Sequence, residues 1–452
     1  MSLYSYYRIS KPSEDKVPPE KVESVYHRVR NRTFWGATVA YALFYVCRMT
    51  MGIVKQPLID EGIFSTAQLG VIGSAMLFVY AFGKFFNGFI ADYCNIKRFM
   101  ATGLLISTLI NFLMGVLGLL HGWLGMTSVL IFIIFAILWG LNGYAQSMGS
   151  PPGVISLSRW FPLSKRGTFY SIFSATPYLG KSLSMIHIGF VVSSIGWEYG
   201  FIFAALAGLL GSCIIILMVS DTPESCGLPS IQEISGEAPK KTDSMPTSVL
   251  QKMVVKNPGI WIIALSSAFV YITQYAVSNW GVLFLQKAKE FSLASSSTII
   301  AIAEAFGIAG TVLAGWLSDK VFRGNRVLPV LISGIVCLAA LAGFIFTKGS
   351  YFMNILYIAV FSLAIGVVYC VVAGLMALDI VPRKATGAAL GLVGISSYIA
   401  AGIQDIVSGL LIKTPAEGQP YDFTAVGWFW VVSCLFCFLI PVLSWGRLKI
   451  KE

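Results

Sequence analysis

Charge is scarce in this chain. Only 12% of its 452 residues are Asp, Glu, Lys or Arg, while 56% are hydrophobic; soluble domains carry roughly 25% charged residues, so an ordinary water-soluble globule is excluded. Histidine is scarcer still, with His27, His121 and His187 too dispersed to form a metal centre. The eight cysteines lie mostly inside apolar runs and show neither metal-ligand nor paired disulfide spacing, so they read as small core residues. No phosphate loop, nucleophile–base pair or metal cluster stands at a usable spacing, which argues against an enzyme and predicts no cofactor. The first residues, Met1 to Lys21, lack the basic, apolar and small-residue succession of a cleaved signal, so the first apolar run is expected to stay as a membrane helix.

What the chain has in abundance is long apolar runs. Twelve of them, near 34–54, 67–90, 99–120, 127–149, 168–194, 199–219, 258–286, 294–317, 327–347, 352–379, 387–412 and 424–445, reach or exceed the ~20 residues needed to cross a bilayer as a helix. The chain carries 32 Lys and Arg for a net charge of +11. With both termini in the cytoplasm, five basic residues fall outside (Lys55, Lys287, Lys289, Lys348, Lys413), three fall within spans (Arg48, Lys84, Lys181), and the remainder collect inside. The basic excess is therefore a matter of membrane orientation, and nucleic acid is not an expected partner. The expectation is an all-α membrane protein whose partner surface is the lipid bilayer. It divides into a cytoplasmic tail (1–33), a six-helix half (34–219), a polar linker with Lys240-Lys241 (220–257), a second six-helix half (258–446) and a short cytoplasmic tail (447–452).

The two halves echo one another. Gly88-Phe-Ile-Ala-Asp92 finds Gly315-Trp-Leu-Ser-Asp319 at one constant offset, and Tyr45-x-x-Arg48 finds Tyr271-x-x-Gln274 at nearly the same one. Landmarks in register point to the duplicated, pseudo-symmetric architecture in which a ligand sits near the midplane between two lobes. Asp92 and Asp319 stand at helix ends, where they can clamp neighbouring helices.

Five ionisable side chains fall inside the spans: Arg48, Lys84, Lys181, Glu304 and Asp405. Each is costly in hydrocarbon and marks an interior pathway or a structural ion pair. Tyr41, Tyr45 and Arg48 follow one another at i, i+4 and i+7, which puts two phenols and a guanidinium on one helical face; Tyr80 and Lys84 are a second such pair. Guanidinium, ammonium and phenol together suit a phosphoryl group, with Gln146, Gln274 and Asn279 available to read hydroxyls. Lys181, near the middle of its span, needs an anion, and phosphate, Glu304 and Asp405 are all open to it. Glu304 and Asp405 serve either charge balance or proton transfer. The Asn142-Gly-Tyr-Ala-Gln146-Ser-Met-Gly149-Ser-Pro151-Pro152 stretch predicts an interrupted helix ahead of a loop carrying Trp160.

At these residues the chain resembles the organophosphate:phosphate antiporters of the major facilitator superfamily, particularly their hexose-phosphate transport and sensing branch. The resemblance spans nearly the whole chain and rests on Tyr41-x-x-x-Tyr45-x-x-Arg48, Tyr80-x-x-x-Lys84 and Asn142-Gly-x-x-Gln146-x-x-Gly149-x-Pro-Pro. Tyr271 with Asn279-Trp280, Glu304, Gly387, Tyr398 and the phrase Thr222-Pro-Glu-Ser-Cys-Gly-Leu-Pro add to it. It implies a major facilitator fold of twelve helices in a bacterial cytoplasmic membrane, acting as a monomer. It also implies exchange of a hexose phosphate, glucose 6-phosphate foremost, for inorganic phosphate by rocker-switch alternating access, with Arg48 holding the phosphoryl group. The seventh-span site where the family usually places a second cation holds Gln274, and the fifth-span histidine site of glycerol-phosphate carriers holds Pro177. Lys181 is the expected replacement for the missing cation. A receptor for external hexose phosphate and a proton-linked anion carrier are the other readings of the same pocket.

Overall fold

In hydrocarbon a chain must satisfy its peptide groups within each segment, so apolar runs of this length become helices. The computed structural model describes residues 6–91, 93–236, 252, 254–317, 321–322, 325–380, 386–413 and 421–448. Twelve helices in it are long and apolar enough to cross a membrane. The first half is built from α1 (Val22–Ile53), the short α2 (Lys55–Asp60), α3 (Thr66–Ala91), α4 (Ile96–Leu120), α5 (Ser128–Ser147), α6 (Ser150–Trp160), α7 (Leu163–Ile195) and α8 (Trp197–Met218). The second half comprises α9 (Pro258–Ala288), α10 (Leu293–Trp316), α11 (Val327–Phe346), α12 (Tyr351–Tyr369), α13 (Thr386–Leu411) and α14 (Thr424–Leu448). With six spans in each half, the start of α1 and the end of α14 lie at one end of the bundle, here the terminal end, and the opposite one is the far end. Asp92, Asp319, Lys240 and Lys241 lie outside the described residues.

Local chemistry adjusts several expected boundaries. Helix α1 begins well before Phe34 because Arg30, though charged, is buried over the rings of Tyr26, Phe161 and Phe169. The Pro151-Pro152 pair does interrupt the fourth span, at Met148 and Gly149. It then opens a further helix, because proline is tolerated in a first turn where its missing N–H has no intrahelical partner. Trp160 accordingly ends helix α6 instead of riding on a loop, and its indole N–H donates to the Ser220 carbonyl at 3.1 Å.

The start of the linker is anchored to the first half. Asp221 accepts from Arg159 Nη1 at 2.6 Å, from the Ile96 N–H at 2.9 Å and from the Ser10 N–H at 2.8 Å. One carboxylate thereby caps the positive end of α4, holds the N-terminal segment and neutralises a guanidinium.

The halves meet through α3 against α13, α7 against α10 and α1 against α9. The described polar contacts between them run from the middle toward the far end: Thr66 Oγ1 donates to the Ile412 carbonyl at 3.1 Å, Ser182 Oγ to the Ala301 carbonyl at 3.0 Å, and Lys287 pairs with Asp60. Gly70 and Gly73 make the closest approach possible, since a methyl group on either would collide with Asp405 across the interface.

Replacing Asp221 by Asn takes the negative charge away from Arg159 and from the N-terminus of α4, and the expected loss of stability is about 1–3 kcal/mol. A fall in the melting temperature of the purified protein checks this; wild-type melting would show that the anchor carries no stability.

Candidate functional site

Helix α1 carries Arg48 into the centre of the molecule, and a polar network fixes it there. Asn111 Nδ2 and Asn142 Nδ2 each donate to the Cys47 carbonyl at 3.1 Å, while Gln146 Nε2 donates to the Phe44 carbonyl at 3.0 Å and to Ser107 Oγ at 2.8 Å. Ser107 Oγ in turn donates to Asn142 Oδ1 at 2.6 Å. Three polar side chains from α4 and α5 therefore grip the α1 backbone beside the arginine, and Ser107 ties two of them together. Gln146 belongs to this scaffold: its amide is engaged with α1 and Ser107 instead of being turned toward a ligand.

Arg48 is 6% exposed and its neighbours are aromatic. Its guanidinium carbon lies 4.2 Å from the centroid of Tyr80, 5.4 Å from Tyr45 and 5.7 Å from Tyr398, and Nη2 donates to the Tyr275 hydroxyl at 3.0 Å. Among the described residues no carboxylate pairs with it. Phenol faces hold a cation through their quadrupole without cancelling its charge, so Arg48 keeps its charge, and the donors not used by Tyr275, for an anion.

The second half supplies the other wall. Tyr271 stacks on Tyr275 with centroids 5.8 Å apart, meets Tyr398 edge-on at 5.2 Å and shares a hydroxyl contact of 3.3 Å with Tyr369. Tyr80 and Tyr398 close the ring across the interface at 4.7 Å. Lys84 stands 5.1 Å from the Tyr398 ring, drawn inward, and no ion pair forms to it among the described residues. Tyr41 lies edge-on to Tyr45 and stacks on Phe173 at the rim of this cage. The stripe of Tyr41, Tyr45 and Arg48 thus does face the interior with Tyr80, Lys84, Tyr271 and Tyr398. Tyr275 and Tyr369 are members that the spacing did not single out, although Tyr275 follows Tyr271 at i+4.

Lys181 has an identified anion. Its Nζ is 3.3 Å from Glu304 Oε2, and Ser278 Oγ donates to Glu304 Oε1 at 2.6 Å, all three buried. The pair crosses the interface from α7 to α10. Lys181 also lies 5.9 Å from the ring of Tyr275, the residue that accepts from Arg48. Glu304 and Gln274 line one small cavity together with Tyr178, so Lys181 reaches the neighbourhood of the seventh-span position that lacks a cation.

Asp405 is bound on the far-end side of Arg48. Asn279 Nδ2 donates to both of its oxygens at 3.0 and 3.1 Å, and Trp280 Nε1 donates to Oδ1 at 2.8 Å. Lys55, which its place at the end of the first apolar run assigns to the outer edge, is instead buried beside this group. The correction follows from packing: α2 continues α1 past a break at Val54, and the second half covers the ammonium with the indole face of Trp280, 3.2 Å from the centroid. Arg48, Lys55, Lys84 and Lys181 face Glu304 and Asp405, which leaves two positive charges without a carboxylate among the described residues.

The Lys181–Glu304 pair makes a separable prediction. Lys181→Met strands a buried carboxylate and lowers the melting temperature, whereas adding Glu304→Gln restores most of it, with a coupling of about 1–3 kcal/mol in the double-mutant cycle. Additive losses would show that the two groups do not interact.

Known proteins resemble the chain in sequence and in fold. Residues 37–404 match the Major Facilitator Superfamily. The chain is 31% identical to the glycerol-3-phosphate transporter of Bacillus subtilis over 98% of both chains. It is 28% identical to the probable hexose phosphate transport protein of Chlamydia trachomatis, covering 94% of this chain and 92% of that one. The membrane sensor protein UhpC of Escherichia coli is 27% identical over 82% of both chains. In fold, a bacterial homologue of the human lysosomal transporter Spinster superposes with a TM-score of 0.69 at 18% identity, covering 93% of this chain and 95% of that one. The chain therefore belongs to the Major Facilitator Superfamily, within its organophosphate:phosphate antiporter family, and is a multi-pass membrane transporter rather than an enzyme.

Proposed function

We propose that the protein exchanges a hexose phosphate, glucose 6-phosphate foremost, for inorganic phosphate across a bacterial cytoplasmic membrane, as a monomer working by rocker-switch alternating access. The terminal end faces the cytoplasm, because the basic residues collect there. The observation that carries the reading is Arg48, buried in a cage of phenols without a carboxylate among the described residues. A guanidinium in that setting is matched by an oxyanion that accepts two parallel hydrogen bonds, and Lys84 adds a compact charge beside it.

Exchange follows from the same charge count. The two excess positive charges between the halves are tolerable while water reaches them, and costly once both ends close around them. A doubly ionised phosphoryl group cancels them, so the loaded carrier crosses the closed state more easily than the empty one. Anion-for-anion exchange is then the favoured cycle. Lys181, beside the site of Gln274, stands in for the missing seventh-span cation when the incoming phosphate competes with Glu304 for it. Tyr41, Tyr45, Tyr271, Tyr398 and Asn279 line the remaining wall toward the sugar. Glu304 and Asp405 are each tied to fixed donors, an arrangement that suits charge balance better than proton carriage.

The relative named as a membrane sensor gives a second reading, in which the same pocket binds ligand without flux. Proteoliposomes loaded with phosphate and presented with labelled glucose 6-phosphate separate the possibilities. Uptake that needs internal phosphate and ignores a pH gradient is expected, and Arg48→Lys is expected to cut it about thirtyfold or more, because the ammonium cannot reproduce the bidentate contact. Binding without uptake points to a receptor, and acceleration by an inward proton gradient overturns phosphate exchange as the coupling mode.

A further inference from the structure

Lys55 enters the charge count above, but no contact to the phosphate has been assigned to it. It belongs to the first half, at the start of α2, yet its side chain lies deep between the halves: the residue is 1% exposed and its Nζ has no hydrogen-bond partner among the described residues. It is held by the face of Trp280 and by the charge of Asp405, both from the second half. An ammonium carries three donors and is among the most strongly hydrated groups in a protein. Burying it with none of the three engaged is expensive, and a merely structural position would be served by leucine or methionine.

Lys55 also shares a cavity with the anion site. A space of about 30 Å³, room for one water, is lined by Arg48, Lys55, Tyr275, Asn279 and Asp405 together with apolar side chains of the first half. Lys55 follows Arg48 at i+7, two helical turns toward the far end, or about 10 Å along the axis. The two cations therefore lie on one stripe of the first half, the inner one facing tyrosines and the outer one facing Trp280 and Asp405.

The second-half groups that cover Lys55 belong to the contact that must part when the far end opens. Asp405 is wedged against Gly70 and Gly73, the backbone of Gly52 lies against Ser278, and Lys287 pairs with Asp60 at the rim. Separating the halves there takes Trp280 and Asp405 away together and leaves Lys55 on the first half, its three donors turned toward entering solute.

We propose that Lys55 is a second phosphoryl-binding position, which captures the anion at the far face and passes it inward to Arg48, and which rests on Trp280 and Asp405 while the far end is closed. The proposal depends on the exchange and orientation put forward above. Its physical content is a change of partner: the ammonium trades an indole face and a carboxylate for phosphate oxygens, and Asp405 keeps its donors from Asn279 and Trp280 throughout. Lys55 thus weakens binding at the far face when lost and has no part in binding from the terminal face.

The test is the sidedness of phosphate-for-phosphate exchange. Phosphate-loaded right-side-out and inverted membrane vesicles, from cells lacking other phosphate carriers, present labelled inorganic phosphate to the far face and to the terminal face respectively. Lys55→Gln is expected to raise the far-face KM about tenfold or more, the worth of a charge-assisted hydrogen bond, and to leave the terminal-face KM at its wild-type value. Asp405→Asn removes the resting partner and is expected to leave the far-face KM unchanged or to lower it. Equal KM changes on both faces in Lys55→Gln, no change on either, or a parallel rise in Lys55→Gln and Asp405→Asn would overturn the proposal in favour of a latch or a packing role. Wild-type vesicles that exchange no phosphate would overturn the transport reading itself, whereas wild-type exchange with an unaltered far-face KM in Lys55→Gln defeats this inference alone.

Discussion

The arrangement of this molecule turns on a buried guanidinium that is given aromatic company in place of an acid. A carboxylate beside Arg48 would neutralise it and end its interest in anions. Tyrosine faces lower the cost of burial while leaving the charge and most of its donors available. Tyr45 and Tyr80 come from the first half, Tyr275 and Tyr398 from the second, so the cage exists only where the two lobes meet. Binding and conformational change are thereby built on the same contacts.

The rest of the interior serves that charge. Asn111, Asn142 and Gln146, the last two joined through Ser107, hold the α1 backbone at Phe44 and Cys47 and fix the arginine's approach. Lys181 pairs with Glu304 across the interface, and Lys55 lies over Trp280 of the opposite half within reach of the charge of Asp405, one cation on each flank of the cage. Both carboxylates are also tied to donors of α9, Ser278 for Glu304 and Asn279 with Trp280 for Asp405. The acids are thus fixed to the second half while their cations belong to the first. Any separation of the halves pulls lysines off acids, and an anion bound between them can take the place of those acids.

Much of this was legible in the sequence because it is periodic. Arg48, Tyr45 and Tyr41 share a face by simple helical spacing, as do Lys84 and Tyr80, and the cost of charge in lipid leaves few directions for them to point. The twelve spans are readable for the same reason, since length and apolarity alone define them. What resisted reading depends on tertiary turns. Lys55 looks like a residue of the outer edge until the second half packs Trp280 over it. Gln146 has the chemistry of a ligand contact, but a neighbouring helix carbonyl claims its amide. Tyr275 and Tyr369 enter the cage only through the packing of α9 on α13 and the end of α12. The Pro151-Pro152 pair announces a break but does not say that a new helix follows it.

The central claim is that Arg48 supplies the anion site, and equilibrium binding of labelled inorganic phosphate to the purified protein tests it most directly. Wild-type protein should bind phosphate, and Arg48→Met protein of unchanged melting temperature should not. Phosphate binding of wild-type strength in Arg48→Met would contradict the account.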